Sequence, residues 1–317
     1  MTEQANRSSP PELSYIALAS RDPEQLGRFL CDQLRLAAFE FCRDGDDTLM
    51  AYRAGRTALL VLPLGHDALS GDTAGVDHIA VAGGADEMDN LDPDLMGSRR
   101  IGPGGARQIV LDRRKTCGVD LRFSQTVPLP PVCEDVVKRI DHIGIASADN
   151  GAAKEFFCSR IGALYESQQT DVEVTTTIES FTSDKYGPFY HSRSPDVIGG
   201  LNVLFLTIGD LELEFLQDID PAREFEMHHG AAGTTKQDRS AIGRFVAKRG
   251  GGLHHVAFSV DNIDDLLSSL AEADVRLIDK VGRPGSRCSR IGFVHPGSTG
   301  GVLVHFVERR EIEPCPS

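Results

Sequence analysis

Paired cysteines are the first feature that this sequence lacks. Its seven cysteines contain no Cys-x-x-Cys spacing, so neither a thiolate zinc cage nor a disulfide framework is expected. An odd number of widely spaced cysteines is typical of proteins kept in a reducing compartment, and we therefore expect a cytoplasmic protein.

The sequence also lacks long apolar runs and an excess of positive charge. No apolar run approaches the roughly 18–20 residues that a membrane span needs. The 47 acidic residues outnumber the 33 Lys and Arg residues, which gives a formal charge of −14. Because a nucleic acid or an anionic membrane requires a basic face, neither is expected as a partner. Residues 1–12 lack the apolar segment of a secretory signal, and we expect a disordered leader there.

The chain is long enough for two domains. Its 317 residues, of which 40% are hydrophobic and 25% charged, are typical of a globular protein of that size. The proline-rich stretch at 124–131 has little helix or strand potential and predicts a linker over residues 125–138. One domain is then expected at 13–124 and a second at 139–311, followed by a tail at 312–317.

One pattern occurs four times along the chain: a short apolar strand, an amphipathic helix and further strands. The opening strands are predicted at 14–18, 76–81, 139–146 and 253–260. Asp22, which is followed by proline, is a good N-cap for the helix of the first copy. The repetition predicts an α+β fold with two similar modules in each half.

Three histidines lie on short strands whose alternate residues are apolar: His142, His255 and His305. Side chains at i and i+2 of a strand point to the same face, so a polar residue in such a strand lines a cavity or faces water. Glu214, in the alternating sequence LELEFL, has a similar position. These four side chains together predict a metal site.

The repeated unit with a histidine in its opening strand resembles the vicinal oxygen chelate superfamily, which includes glyoxalase I, extradiol dioxygenases and methylmalonyl-CoA epimerase. Residues 138–310 are most similar to the epimerase, through 140–146 (IDHIGIA), 242–257 (IGRFVAKRGGGLHHVA) and 293–304 (FVHPGSTGGVLV). The resemblance implies two domains, each of paired βαβββ modules that form a cupped mixed sheet. The layout, with one degenerate half, also looks like that of 4-hydroxyphenylpyruvate dioxygenase.

The resemblance implies the ligand set His142, Glu214, His255 and His305. His305 stands where the family has glutamate, and Glu214 stands where the family has glutamine or glutamate. Three imidazoles and one carboxylate suit a divalent transition metal such as Zn, Fe, Co, Mn or Ni better than Mg or Ca. In the alternative interpretation, His305 is a base in the pocket that does not bind the metal. His254 is expected either to contact a ligand without binding the metal itself or to lie at the surface.

The same mapping of the N-terminal half gives Tyr15, Leu59, His78 and Arg122. Three of these cannot bind a metal in the usual way, and Arg122 carries a permanent positive charge. We expect this half to lack a metal and to serve as a scaffold, as part of the pocket, or as a surface for homodimer formation.

The resemblance implies a metal-dependent epimerase, isomerase or lyase that stabilises an enolate of a carboxylated acyl thioester or oxo acid. Because His305 replaces the family's terminal glutamate, Glu173 or Glu179 is the candidate for the base. Three arginines in residues 283–290 would suit an anionic small-molecule substrate or form a plain basic loop.

Two other functions fit the sequence. In a non-haem Fe(II) dioxygenase, His142, His255 and Glu214 would form the facial triad of two histidines and one carboxylate. In a binding protein of the kind that sequesters antibiotics, the cup would hold a small molecule without turnover.

Overall fold

The computed structural model describes residues 11–44, 47–83, 92–131, 136–220 and 241–309. The strands of the N-terminal half are β1 (Leu13–Ser20), β2 (Ala37–Asp44), β3 (Asp47–Ala54), β4 (Thr57–Pro63), β5 (Gly75–Ala82), β6 (Met96–Ile101), β7 (Arg107–Leu111) and β8 (Leu121–Ser124). Those of the C-terminal half are β9 (Arg139–Ser147), β10 (Leu164–Thr175), β11 (Ile178–Ser183), β12 (Gly187–Ser192), β13 (Asp196–Ile208), β14 (Leu211–Asp218), β15 (Gly252–Ser259), β16 (Arg283–Pro284), β17 (Arg290–Val294) and β18 (Val304–Glu308). The α-helices of these described ranges are α1 (Pro23–Arg28), α2 (Asn150–Phe156), α3 (Ala241–Arg249) and α4 (Ile263–Glu272).

The strands form two eight-stranded mixed sheets with the same topology. Their orders are β2-β3-β4-β1-β5-β8-β7-β6 and β10-β13-β14-β9-β15-β18-β17-β16. In each module the opening strand lies parallel to the last strand, as β9 does to β14, and the two modules meet through an antiparallel pair of opening strands. The predicted α+β architecture of paired modules is confirmed.

Helix capping follows the sequence signals. The side chain of Asp22 accepts a hydrogen bond from the backbone N–H of Gln25 at 2.9 Å, which confirms the predicted N-cap of α1. Asn262 caps α4 in the same way. In the second module, only the short 3₁₀ turn Pro93–Leu95 lies between β5 and β6 in the described part of the chain.

One buried core joins the two sheets. It contains Ile16 and Leu59 from the first sheet, Ile143 and Phe306 from the second, and apolar residues of α1, α2 and α4, such as Leu267. Alternate residues of a strand point to opposite faces of a sheet. The face of each sheet that points away from this core forms a cup-shaped surface, called the cup below. A buried strand such as β9 is therefore apolar on the core face and carries the candidate site residue His142 on the cup face.

A ribbon extends from one edge of the second sheet. Strands β10 and β13 are 12 and 13 residues long, and the chain between them forms the hairpin β11–β12, which is a separate two-stranded sheet. Its apolar residues are open to solvent, with Ile178 71% and Tyr190 74% exposed. No helix of the described residues combines the length and apolar character that crossing a membrane would require.

Candidate metal centre

Four neighbouring strands bring the predicted ligands together. Glu214 on β14 and His255 on β15 lie opposite Gly144 of β9, one on each side. His142 precedes Gly144 by two residues and so points to the same face. His305 on β18 is paired with Ala257, which is in turn the partner of His142. The ladder register alone therefore places all four side chains on the cup face.

Only glycine fits at position 144, because the ring of His255 leaves no room for a side chain there. A Cβ atom at this position would lie 2.0 Å from Cε1 and 2.4 Å from both ring nitrogens of His255. The imidazole of His255 therefore occupies the volume that any larger residue would fill, directly above the backbone of β9.

The donor atoms converge at distances that suit a metal ion. His142 Nε2 lies 3.0 Å from Glu214 Oε2 and 3.3 Å from His255 Nε2, and His255 Nε2 lies 3.7 Å from Glu214 Oε2. One ring nitrogen from each of His142, His255 and His305 falls within 4.8 Å of the others. Metal bonds of about 2.0–2.2 Å give ligand-to-ligand distances of about 3.3–3.6 Å in a tetrahedral site. The three histidines are thus a candidate site for a divalent metal, with Glu214 beside them.

His305 supports this assignment in a second way. It is 3% exposed, and within the described structure neither of its ring nitrogens has a hydrogen-bond partner. Leaving a buried polar group unpaired is costly. A metal bond to one of these nitrogens would account for the arrangement, so the residues fit the ion that the superfamily resemblance implies.

Asp141 fixes the orientation of His142. Its Oδ1 lies 2.8 Å from His142 Nδ1, while Arg309 donates to both carboxylate oxygens, from Nε to Oδ2 at 2.8 Å and from Nη2 to Oδ1 at 2.5 Å. Burial alone would raise the pKa of Asp141, but the hydrogen bond and charge of His142, together with Arg309, lower it well below its usual range. The carboxylate therefore holds the proton on Nδ1 and leaves Nε2 facing the other candidate ligands.

His142 and Glu214 form a buried ion pair in the metal-free chain. Burial would lower the pKa of His142, but the charge of Glu214 and the hydrogen bonds of both carboxylates raise it to about 9. Burial would raise the pKa of Glu214, but His142 lowers it to about 2. Burial, followed by the charges of the neighbouring histidines, lowers the pKa of His255 and His305 well below the usual value. Around neutral pH one imidazole of the site is therefore charged and two are neutral.

A cavity of about 360 Å³ opens above these residues. Its walls are mostly apolar, with Phe205, Ile291 and Phe293 among them, and its polar residues include Arg283 and His254. A concave, largely apolar pocket with a few converging polar groups is typical of a site for a small molecule.

The three arginines of residues 283–290 have different environments. Arg287 pairs with Glu166 and Glu212, and Arg290 pairs with Asp264, whereas Arg283 lines the cavity. The guanidinium of Arg283 donates from Nε to Asp279 at 3.1 Å, but its buried Nη1 has no hydrogen-bond partner in the described part of the chain.

A single aromatic ring separates Arg283 from the candidate metal ligands. Its guanidinium carbon lies 5.4 Å from the centroid of the Phe293 ring, and that ring is 4.4 Å from the ring of His305. A cation with an unused donor thus lies close to the candidate ligands.

The two predicted bases lie elsewhere. Glu179 is on the exposed hairpin strand β11, where it forms an ion pair with Arg193. Glu173 is in the outer part of β10, opposite Gly199. Neither is among the described residues that line the cavity. Asp141 is the neighbour of the site that the sequence did not reveal, although it directly precedes the candidate ligand His142 in the sequence.

The N-terminal cup has the same ladder positions with different side chains. Tyr15, His78 and Arg122 occupy the positions of His142, His255 and His305. The fourth position belongs to Leu60, which is paired with Ala17 and faces the cup. The prediction of Leu59 was wrong by one residue, because Leu59 points into the core between the sheets.

These residues of the N-terminal cup bind one another. His78 Nδ1 lies 2.7 Å from Asp77 and its Nε2 3.2 Å from the hydroxyl of Tyr15. Arg122 is fully buried, and its Nε donates to Asp120 at 2.9 Å. Apolar residues pack over this cup, among them Ala68, Leu69, Val127 and Leu129. This half of the chain therefore has a filled cup in which the buried charge of Arg122 is balanced by a carboxylate.

Comparison with known proteins agrees with this architecture. Residues 141–293 match the family model described as the Glyoxalase/Bleomycin resistance protein/Dioxygenase superfamily. The C-terminal half of this chain is therefore a domain of that superfamily, which comprises the vicinal oxygen chelate proteins, and the predicted resemblance is confirmed.

Individual relatives match mainly the C-terminal half. The uncharacterized protein YqjC of Bacillus subtilis is 27% identical over 172 residues, which are 54% of this chain and 93% of that protein. The mitochondrial methylmalonyl-CoA epimerase of Bos taurus is 24% identical over 168 residues, 53% of this chain and 73% of its own. A triple mutant of 4-hydroxymandelate synthase from Streptomyces coelicolor superposes with a TM-score of 0.52 and 15% identity over 97% of this chain and 95% of its own. Because the last match covers both halves of the chain, it shows that the whole chain has the same two-domain fold as that protein.

Proposed function

We propose that this chain is a divalent-metal-dependent enzyme of the vicinal oxygen chelate type, acting on a small anionic substrate through its enolate. The observation that carries the proposal is the convergence of four donor side chains and one underused arginine on a single cavity. When bound, the metal would supply a Lewis-acid centre that stabilises the oxygens of the enolate. Substrates with a carboxylate beside an acyl thioester or an oxo group match this chemistry.

Each residue has a distinct part in the proposal. His142, Glu214, His255 and His305 would hold the metal. Asp141 keeps the tautomer of His142 that leaves Nε2 available. The apolar walls of the cavity exclude water and so strengthen the electrostatic contacts inside it.

His305 has two roles to distinguish: metal ligand or acceptor of the substrate proton. The other carboxylate among the described residues that line the cavity, Asp279, binds both Arg283 and the backbone N–H of Phe293. This leaves His305 as the candidate base. We favour the ligand role, because a metal bond would pair a buried ring nitrogen that has no hydrogen-bond partner among the described residues. His305→Ala should then lower the affinity for the metal, whereas loss of proton exchange with unchanged metal affinity would identify His305 as the base.

Exchange of the substrate α-proton with solvent deuterium tests the reaction class. The metal-reconstituted protein is expected to catalyse this exchange on at least one member of a panel of acyl thioesters and 2-oxo acids, and the His255→Ala variant should not. A metal-loaded protein that exchanges no member of the panel would contradict the enolate mechanism.

Arg283 is expected to bind the anionic group of the substrate. Arg283→Met keeps most of the length of the side chain but removes the charged donor. Because hydrogen bonds to charged groups contribute about 1.5–3 kcal/mol, KM should rise about 10-fold to 100-fold while kcat changes much less. Arg290→Met is the matched control, since Arg290 belongs to the same segment and also pairs with an aspartate, Asp264, but is not among the described residues that line the cavity. Equal effects of the two substitutions would show that only the net charge matters.

A second candidate function is that of a non-haem Fe(II) dioxygenase. Two observations favour it: no described carboxylate at the cavity is left unengaged as a base, and the side chains of His142, His255 and Glu214 match the usual iron triad of two histidines and one carboxylate. Oxygen consumption by the iron-loaded protein with catechols or aryl-pyruvates would support this function. Full activity under anaerobic conditions with zinc or cobalt would exclude it.

A further inference from the structure

A β-bulge at the metal centre brings a fourth histidine to the cavity. In the pairing of β15 with β9, Leu253 faces Ile145 and His255 faces Gly144, so His254 is an extra residue without a ladder partner. Such a bulge breaks the alternation of side chains and re-aims them locally. As a result His254 lines the same cavity as His255.

The N-terminal cup contains the same bulge. There His78 faces Ala17 and Val76 faces Leu18, which leaves Asp77 as the extra residue. The Asp77 carboxylate lies 2.7 Å from Nδ1 of His78. In the C-terminal cup, Nδ1 of His254 lies 2.9 Å from Nδ1 of His255. In both halves the bulged side chain thus binds Nδ1 of the following histidine, through a carboxylate in one and an imidazole in the other.

The contacts of the ring nitrogens determine the tautomers of His255 and His254. His255 directs Nε2 toward Glu214 and His142, so when Nε2 binds a metal the ring proton of neutral His255 is on Nδ1. That N–H then donates to Nδ1 of His254. A neutral His254 that accepts at Nδ1 carries its own proton on Nε2.

The remaining contacts of His254 leave this N–H available. Its ring packs edge-on against Phe245 of α3 at 5.2 Å. Nδ1 makes the contact with His255, and across the described residues His254 forms no other hydrogen bond.

We propose that His254 is a catalytic residue whose Nε2–H donates to an oxygen of the metal-chelated substrate. This inference rests on the proposed metal role of His255, which sets the position of the proton. A donor aimed at a developing oxyanion is a common source of transition-state stabilisation. An aspartate at this place, as in the N-terminal cup, would orient the following histidine but could not supply the N–H.

Two amide variants separate the two contacts of His254. The amide oxygen of His254→Asn replaces Nδ1, and its side chain is too short to reach the position of Nε2. The amide N–H of His254→Gln replaces Nε2–H but does not place an acceptor at Nδ1. The probe is oxalate, a dianion with two neighbouring oxygens, titrated into the Co(II)-loaded protein. The affinity for Co(II) is measured separately by competition with a chelating dye.

The two variants should show opposite patterns. His254→Asn should keep its Co(II) affinity and lose about 10-fold to 100-fold in oxalate affinity, the effect of one hydrogen bond to a charged group. His254→Gln should keep its oxalate affinity and lose about 10-fold in Co(II) affinity, as for other partners of metal ligands.

The outcomes distinguish this inference from the proposed function. If His254→Asn binds oxalate as tightly as the unaltered chain does, His254 is not a substrate donor and the inference is overturned. If the unaltered chain takes up no Co(II), the proposed function itself fails. His254→Leu, which removes both contacts, should lose affinity for both the metal and the probe, and unchanged oxalate affinity in this variant would also overturn the inference.

Discussion

His255→Ala is expected to lower the zinc affinity of the protein by more than about 100-fold, the upper range for loss of an outer partner of a ligand. The substitution removes one of four donors and leaves a space between Glu214 and His305. It also leaves His254 without the partner of its Nδ1. Competition with a chromophoric chelator measures the affinity directly.

The N-terminal half supplies a matched control for this substitution. His78 has the same ladder position on the same kind of strand and is fully buried. His78→Ala should destabilise the fold, since it removes the buried contacts of His78 with Asp77 and Tyr15, but it should not change the zinc affinity. Equal losses of zinc affinity in the two variants would contradict the assignment of the metal site to the C-terminal cup.

Metal affinity should fall about 10-fold for each unit by which the pH is lowered from 9 to 6. In the metal-free chain the pKa of His142 is raised to about 9, so below this pH a proton occupies the nitrogen that the metal needs. Binding must then release about one proton per ion. The proton count is measured by calorimetry in buffers of different ionisation enthalpy. Glu214 remains charged over this range because its pKa is lowered to about 2.

Glu214→Gln tests the origin of this dependence. Burial alone lowers the pKa of His142, and the charge of Glu214 is the largest factor that raises it. Without that charge the pKa should drop, and the slope of affinity against pH between 7 and 9 should become nearly flat. Release of no proton by the unaltered protein at pH 7 would show that His142 is already neutral there.

The strands and the convergence of the candidate ligands could be predicted because polar residues interrupt otherwise apolar strands. His142, His255, His305 and Glu214 each stand in an alternating pattern, and period two assigns them to one face. Leu59 could not be distinguished from Leu60 in this way. The run from 58 to 62 is apolar throughout, because one face of β4 packs in the shared core and the other in the filled cup.

Other features required the three-dimensional structure. The alternation around Glu173 and Glu179 is typical of a half-buried strand, yet these residues belong to a ribbon whose apolar side chains, such as that of Ile178, face solvent. The bulge at His254 depends on its pairing with β9, which the sequence of β15 alone does not determine. The different environments of the three arginines likewise follow from contacts with distant strands.

The metal content of the purified protein tests the central claim most directly. After dialysis against a divalent transition metal and then against metal-free buffer, elemental analysis should find about one ion per chain. The double variant His142→Ala/His255→Ala should retain almost none. An unaltered chain that binds no metal, or a double variant that binds as much as the unaltered chain, would contradict the metal centre proposed for the C-terminal cup.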